Sequence, residues 1–405
     1  MNRNLKYLSS VATALSVVLG GANLAIAQDT VKFGILTGMS GDYGPWGQAG
    51  LAAAQIAADE INEAGGINGK KLELVVADNK STLEGAVSGW KRLVEVEGVI
   101  AVGGMESDGA LALLQESAIS KVVIMCPACG TPKLKTLGGD YVFRLTGGDD
   151  DLGVILAQIA LGKGKDAGAI TQGGLDATES ITGVFRKSFE KGGGQFLNDT
   201  HVSADTVSFR GDLDQAVNAS PNLLVSTGLE VGIRLLSDYQ RRNYQGTIYA
   251  IPEIISQEVA ELGSGFFDGR IFGVSPTYDL ESANYKSFAE RYSKKTGKQP
   301  SPAMYEPNYY DQIILLALAA TAGDVTGQGI RDNLVNVSGP EGEKVFSYAD
   351  GVRELKAGKD IDYEGASGPI DFNEYGNVVS RYSEVTPRNG EWVNVSSVEL
   401  NPDLR

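Results

Sequence analysis

The feature that most restricts this chain is the alternation of short β-branched or aliphatic runs with longer segments of helical period. A parallel sheet covered by helices accommodates that alternation, because parallel neighbours need a connection long enough to hold a helix. The run 31–36 predicts a first strand, and 47–64 predicts a helix with Leu51, Ala54, Ala58 and Ile61 on one stripe, stopped by Gly65-Gly66. The pattern continues with strand 72–77, helix 83–95, strand 99–102, helix 109–120 and strand 122–125. Three βα units in succession predict one doubly wound lobe.

A second series begins after the turn Gly147-Gly148-Asp149-Asp150. It reads as helix 152–161, strand 167–170, helix 178–191, strand 195–202, strand 223–226, helix 231–239 and strand 247–250, a second lobe of the same kind. Helices 285–296 and 309–322 follow a strand near 271–274, and their pattern suits packing on either lobe. After Gly358 the chain turns to short strands near 369–372, 378–384 and 391–395. The fold class read from this order is α/β, two doubly wound Rossmann-like lobes.

The first 27 residues read as an export signal rather than as part of the fold. Arg3 and Lys6 give a basic start, 11–19 an apolar core, and Ala25-Ile26-Ala27 a small-x-small cleavage site before Gln28. That apolar core is about half of the roughly 20 residues a spanning helix needs, and 313–320 is shorter still. Gln28, where a lipoprotein carries cysteine, argues against a lipid anchor, and a periplasmic location with a cleaved signal peptide is expected. The remaining length suits two domains, each with its own core. The formal charge of −16, with no basic cluster, excludes nucleic acid and anionic membrane as expected partners. A monomer is expected.

Enzymatic signatures are sparse. The single histidine, His201, lies on an expected strand and suits a surface or packing role, so His-rich metal sites and most triads are excluded. Gly103-Gly104 and Gly192-Gly193-Gly194 match neither a Walker loop nor G-x-G-x-x-G, and no cofactor or metal is expected. The exception is Cys126-Pro127-Ala128-Cys129, after a strand, the placement that activates a thiol in thioredoxin-like oxidoreductases. Redox catalysis, a local structural disulfide and two free thiols in a tight binding loop all remain open from sequence.

In open α/β sheets ligands sit beyond the carboxyl ends of the strands. The loops there are 41–46, 104–108, 128–131, 173–176, 227–230, 251–253 and 276–278. The Ser107 and 128–131 turns are candidate carboxylate receptors, since a helix start offers unpaired N–H groups. Glu253, after Pro252, and Asp176 are candidates to neutralise an ammonium group, although each equally suits a helix N-cap or a solvated loop. Trp46 also suits simple closure of a core.

At these loops the chain resembles the periplasmic leucine/isoleucine/valine-binding family of ABC transporter solute receptors. The likeness is carried by Phe33-Gly34-Ile35-Leu36-Thr37, Ser40-Gly41, Trp46-Gly47, Ala58-Asp59-Glu60-Ile61-Asn62, Ala64-Gly65-Gly66-Ile67-Asn68-Gly69-Lys70 and Val76-Ala77-Asp78. Further matches are Pro127-Ala128, Thr131-Pro132, Pro252-Glu253 and Gly365-Ala366-Ser367-Gly368-Pro369-Ile370-Asp371-Phe372. The resemblance implies a type I periplasmic binding protein with three hinge crossings, the first lobe from 29–147 plus 276–375 and the second from 148–275 plus 376–405. It implies a small solute, an amino acid or a relative of one, held in the cleft and passed to an ABC permease in the inner membrane. By position, Trp46, Ser107, Ala128 and Cys129 are expected as first-lobe contacts, and Glu253 as the ammonium-binding acid. Asp176, Thr227 and Tyr278 fall where the other lobe and the hinge supply contacts. Two departures stand out: Cys129-Gly130 displaces the threonine by one place to Thr131, and Asp176 replaces a common aromatic. An added cleft carboxylate points to a polar or cationic ligand side chain, because an unpaired buried charge is costly. Alternatives from other classes are a thiol-disulfide oxidoreductase using Cys126 and Cys129, and a sensory ligand-binding module.

Overall fold

Strand β1 (Thr30–Thr37) is buried along nearly its whole length, as an aliphatic run flanked by helices on both faces should be. The computed structural model describes residues 30–262, 265–301, 304–379 and 381–405, so the expected export segment lies outside the described residues. β1 pairs in parallel with β2 (Lys71–Asp78) on one side and β3 (Ala101–Gly103) on the other, and β4 (Val123–Cys126) and β5 (Val142–Arg144) continue the sheet. Its order is β2-β1-β3-β4-β5.

The second sheet repeats the plan. β6 (Asp166–Gln172) lies between β7 (Gln195–Val202) and β8 (Leu223–Ser226), followed by β9 (Ile248–Ala250) and β10 (Ile271–Pro276), all parallel. A small third sheet holds β11 (Glu343–Val345), β12 (Ile361–Gly365) and β13 (Gly368–Pro369). The antiparallel hairpin β14 (Tyr382–Arg388) and β15 (Glu391–Val398) then completes the second sheet on the β10 edge. In each large sheet the strand order reverses at its first strand, β1 or β6, which is where an open α/β sheet leaves a crevice at the strand ends. Among the described residues the chain passes between the two large sheets after β5, after β10 and before β14.

Helices close both faces. The helix Gly44–Glu63 buries Ala53, Ala54, Ala57 and Ile61 in the same core as Val31, Phe33 and Ile35 of β1, and the helix Glu306–Ala322 packs against it. The latter is buried from Glu306 to Ala320, so its apolar character is that of a core helix. Gln312 Oε1 accepts from the Gly104 N–H at 3.0 Å, which fixes this helix, left open by its pattern, on the first sheet. Among the described residues no single helix is long and apolar enough to cross a membrane.

Several elements differ from the periodicity reading. The helix expected over 109–120 is broken into Ser107–Ala112 and Leu114–Ser120 at Leu113. The one expected over 83–95 is α-helical only for Leu83–Lys91, then widens into a π turn, Arg92–Val96, that keeps Leu93 buried. β5 and β11 have three residues each, too few to show a period, and β12 was also missed. The helix Arg210–Ala219 was missed because only Leu213 and Ala216 are buried on it. The strand expected at 369–372 shrinks to β13, and the one expected at 378–384 begins at Tyr382.

A close backbone approach pins the amino ends of β8 and β9, inside the second sheet. Gly246 N–H donates to the Tyr239 hydroxyl at 2.9 Å, and a Cβ at Gly246 would lie 1.5 Å from the Pro221 carbonyl oxygen. Gly246→Ala is expected to destabilise the protein by about 2–3 kcal/mol, because backbone, unlike a side-chain tip, yields only by shifting the β8–β9 turns. Chemical denaturation measures this; an unchanged midpoint would show that the turn is pliable.

Candidate functional site

One cavity collects side chains from the carboxyl ends of both sheets. It is lined by Tyr43, Trp46, Met105, Glu106, Ser107, Ala128 and Gly130 from the first-sheet loops, by Thr146 and Gly147 from the crossing after β5, and by Asp149, Leu152, Ala177 and Glu253 from the second. Tyr305 and Tyr309 close it. Its empty volume is about 620 Å³, including the part open to solvent.

The loop after β4 is built to present backbone. Cys126 and Cys129 form a disulfide with Cα atoms 5.4 Å apart, and both residues are fully buried. Arg144 at the end of β5 donates from Nη1 to the carbonyls of Cys129 and Thr131, each at 3.1 Å, while its Nε holds Asn377. With those carbonyls drawn away, Ala128 and Gly130 face the cavity. Gly130 is required by contact: a Cβ there would lie 1.6 Å from Asp149 Oδ1. Ser107 Oγ accepts from Thr131 N–H at 3.2 Å, which leaves the hydroxyl proton of Ser107 to donate elsewhere.

Three acids line the cavity, in different electrostatic situations. Glu106 accepts from Thr37 Oγ1 at 3.0 Å, the Gly38 N–H at 2.8 Å and the Asn79 side chain, so it braces the loop after β1. Asp149 opens the helix Asp149–Lys163 and is 4% exposed, and its Oδ2 has no hydrogen-bond partner. Glu253 sits in the turn Pro252–Ile254 after β9, and its Oε2 likewise has no partner. Part of the Glu253 side chain remains accessible, but Oε2 is sealed from solvent. Burial pushes Glu253 up to about 7, and burial together with the Glu253 charge holds Asp149 well above the usual carboxylate range. Burial and the nearby acids, Glu253 first, likewise raise the Tyr43 hydroxyl.

Of the residues expected from sequence, the structure brings Trp46, Ser107, Ala128 and Glu253 together around this cavity. The others lie outside its lining. Cys129 has no free thiol, its sulfur being bonded to Cys126, which removes the free-thiol reading. The buried pair also leaves a protein disulfide no approach, against the partly exposed setting of reactive thiols. Thr131 is fully buried behind the loop, with its carbonyl on Arg144. Thr227 is fully buried and its Oγ1 donates to the Gly228 carbonyl at 3.0 Å. Tyr278 donates to Asn308 Oδ1 at 2.8 Å and stacks on Tyr285, bracing the crossing after β10. Asp176 points to the cleft rim, where Lys133 Nζ lies 3.2 Å away, and the neighbouring Ala177 takes the place in the wall. Across the same rim Gln172 Nε2 donates to Asp42 Oδ2 at 3.3 Å.

The cavity residues that sequence reasoning missed include Tyr43, Asp149, Tyr305 and Tyr309. Asp149 lay in the Gly-Gly-Asp-Asp turn that was read only as a boundary. Tyr305 precedes its helix in a left-handed conformation, φ 57°, for which the pattern gives no signal.

This architecture matches known proteins. Residues 30–385 match the family model for periplasmic binding proteins. A Leu/Ile/Val-binding protein homologue of Brucella melitensis is 31% identical over 237 residues, 56% of this chain and 59% of that relative's length. A leucine-, isoleucine-, valine-, threonine- and alanine-binding protein of Pseudomonas aeruginosa is 20% identical over 82% of this chain and 89% of its own. The crystal structure of the branched-chain amino acid transporter substrate-binding protein LivJ of Streptococcus pneumoniae, in complex with isoleucine, superposes with a TM-score of 0.76 at 25% identity, covering 91% of this chain and all of LivJ. The paired doubly wound sheets are those of a type I periplasmic binding protein, and the chain belongs to the periplasmic binding protein family.

Proposed function

We propose that the protein is the substrate-binding component of an ABC transporter and closes two lobes over an amino acid or a similar small polar solute. The observation that carries this reading is the sealed, unpartnered Oε2 of Glu253 in a cavity that also holds Ser107 and Ala128 from the opposite sheet. An ammonium group satisfies that oxygen, while the Ser107 hydroxyl and the 128–130 backbone suit a carboxylate. The lobes are 29–147 plus 276–375 and 148–275 plus 376–405, with the three passages between the sheets as hinges. Closure is then stabilised by contacts that the ligand makes with both lobes at once, such as those at Ser107 and Glu253, beside the rim contacts Lys133–Asp176 and Gln172–Asp42. The family implies a periplasmic or extracellular setting; cleavage after Ala27, release as a monomer into the periplasm and delivery to an inner-membrane permease complete the reading.

The test is a thermal-shift screen across amino acids, amides and amines, followed by calorimetry. A ligand in excess is expected to raise the unfolding midpoint in a concentration-dependent manner. Glu253→Gln is expected to weaken that binding by about 1.5–3 kcal/mol, the range for a charged hydrogen bond. Unchanged affinity would remove Glu253 from the site.

A further inference from the structure

The charges around the cavity do not balance. Among its lining residues there is no lysine, arginine or histidine, while two carboxylates, Asp149 and Glu253, each keep an oxygen with neither solvent nor a partner. Glu106, the third acid, is already held by Thr37, Gly38 and Asn79. The neighbouring cations give their hydrogen bonds elsewhere: Arg144 to two carbonyls and Asn377, Lys133 to Asp176, and Lys135 to Asp150 and Asp151; the Arg144 charge still acts on Asp149 but supplies no donor to its Oδ2. A buried carboxylate oxygen without a donor is costly, so the missing donors are those of the ligand. One ammonium group answers Glu253, while Asp149, on a different element of the second-sheet side and near enough to feel the Glu253 charge, keeps a sealed oxygen of its own. The remaining wall includes four aromatic residues, Tyr43, Trp46, Tyr305 and Tyr309, side chains of the kind that attract a desolvated cation.

We propose that the cavity takes a solute with two cationic nitrogen centres, Glu253 holding one and Asp149 the other, with the aromatic side chains walling the segment between them. This deepens the solute-binding reading and rests on it. The pKa directions agree: both acids resist ionisation until a cation arrives, and each is raised first of all by burial. The cationic ligand character that the sequence assigned to Asp176 thus belongs to Asp149, because Asp176 lies outside the cavity lining with Oδ1 on Lys133, even though its own Oδ2 is also sealed without a partner.

Two sources carry this chemistry, a dibasic amino acid and a diamine, and calorimetry on the purified protein separates them with arginine, lysine, agmatine and cadaverine as probes, against leucine and glutamate. At least one dicationic probe is expected to bind at least ten-fold more tightly than leucine. Arginine or lysine alone would identify the amino-acid source, agmatine or cadaverine alone the diamine. Asp149→Asn, which keeps shape and removes charge, is expected to weaken the dicationic probe ten- to a hundred-fold, at least ten-fold more than it changes leucine affinity, with an unfolding midpoint no lower than that of the wild type. Leucine binding as tightly as any dication, or a dication affinity untouched by Asp149→Asn, would overturn the inference and leave the solute-binding reading standing. Failure of every probe in calorimetry and in the wider thermal-shift screen would remove both.

Discussion

Replacing Asp311 by alanine is expected to cost about 3–5 kcal/mol of folding stability, the range for removing one side of a buried polar network. Asp311 is fully buried and accepts four hydrogen bonds: from the Tyr363 hydroxyl at 2.8 Å, the Ala366 N–H at 2.9 Å, the Ser367 N–H at 2.7 Å and the Ser367 hydroxyl at 2.5 Å. Alanine leaves two backbone donors and two hydroxyls without an acceptor, and water has no ready access to replace it. The same carboxylate ties the helix Glu306–Ala322, whose first turn places Tyr309 in the cavity wall, to the loop between β12 and β13. Asp311→Asn keeps one acceptor and adds a mismatched donor, so an intermediate loss is expected. Urea denaturation beside Asp371→Ala, an exposed acid in the following segment, provides the comparison. A loss below about 1 kcal/mol for Asp311→Ala would mean that the loop finds other partners.

What the sequence revealed and what it hid follow from how far each signal reaches along the chain. β1 was legible as a short continuous apolar run and the helix after it by its 3.6 period, each written into one stretch of chain. β5 was not, because three residues show no period and its existence depends on pairing with β4. At the site, Glu253 was legible as an acid directly after a strand and a proline. Asp176 and Ala177 show the limit of that logic. Successive helical residues point about 100° apart, so the first residue of the helix Asp176–Lys191 meets Lys133 at the rim while the second faces the cavity. Asp149 and Tyr309 belong to the cavity only because the crossing after β5 and the helix Glu306–Ala322 arrive there from distant parts of the chain, and no local pattern encodes that meeting.

Raising the pH from about 5 to about 8 is expected to destabilise the ligand-free protein, with Glu253 supplying a large share of the loss. Its ordinary value is 4.5 and burial moves it to about 7 in the folded chain, so the folded state binds its proton more tightly than the unfolded state does. The stability linked to that proton is fully present below the ordinary value and is lost as the pH rises through 7. A difference of that size corresponds to something on the order of 3 kcal/mol across the window. Glu306 is pushed in the same direction, also to about 7, and Asp311 and Asp362 to about 6, so the wild-type decline is a composite. Glu253→Gln isolates the contribution of one group: its unfolding midpoint is expected to fall less steeply over the same range and to exceed the wild type at pH 8. The groups around Glu253 reinforce the sign, since Asp149, Tyr43 and Tyr305 all share its burial and feel its charge. A cationic ligand reverses the balance by favouring the ionised carboxylate, so its affinity is expected to climb through pH 7 while the empty protein weakens. Parallel pH profiles for the wild type and Glu253→Gln would show that this carboxylate is ionised throughout, and that a donor already satisfies it before any ligand binds.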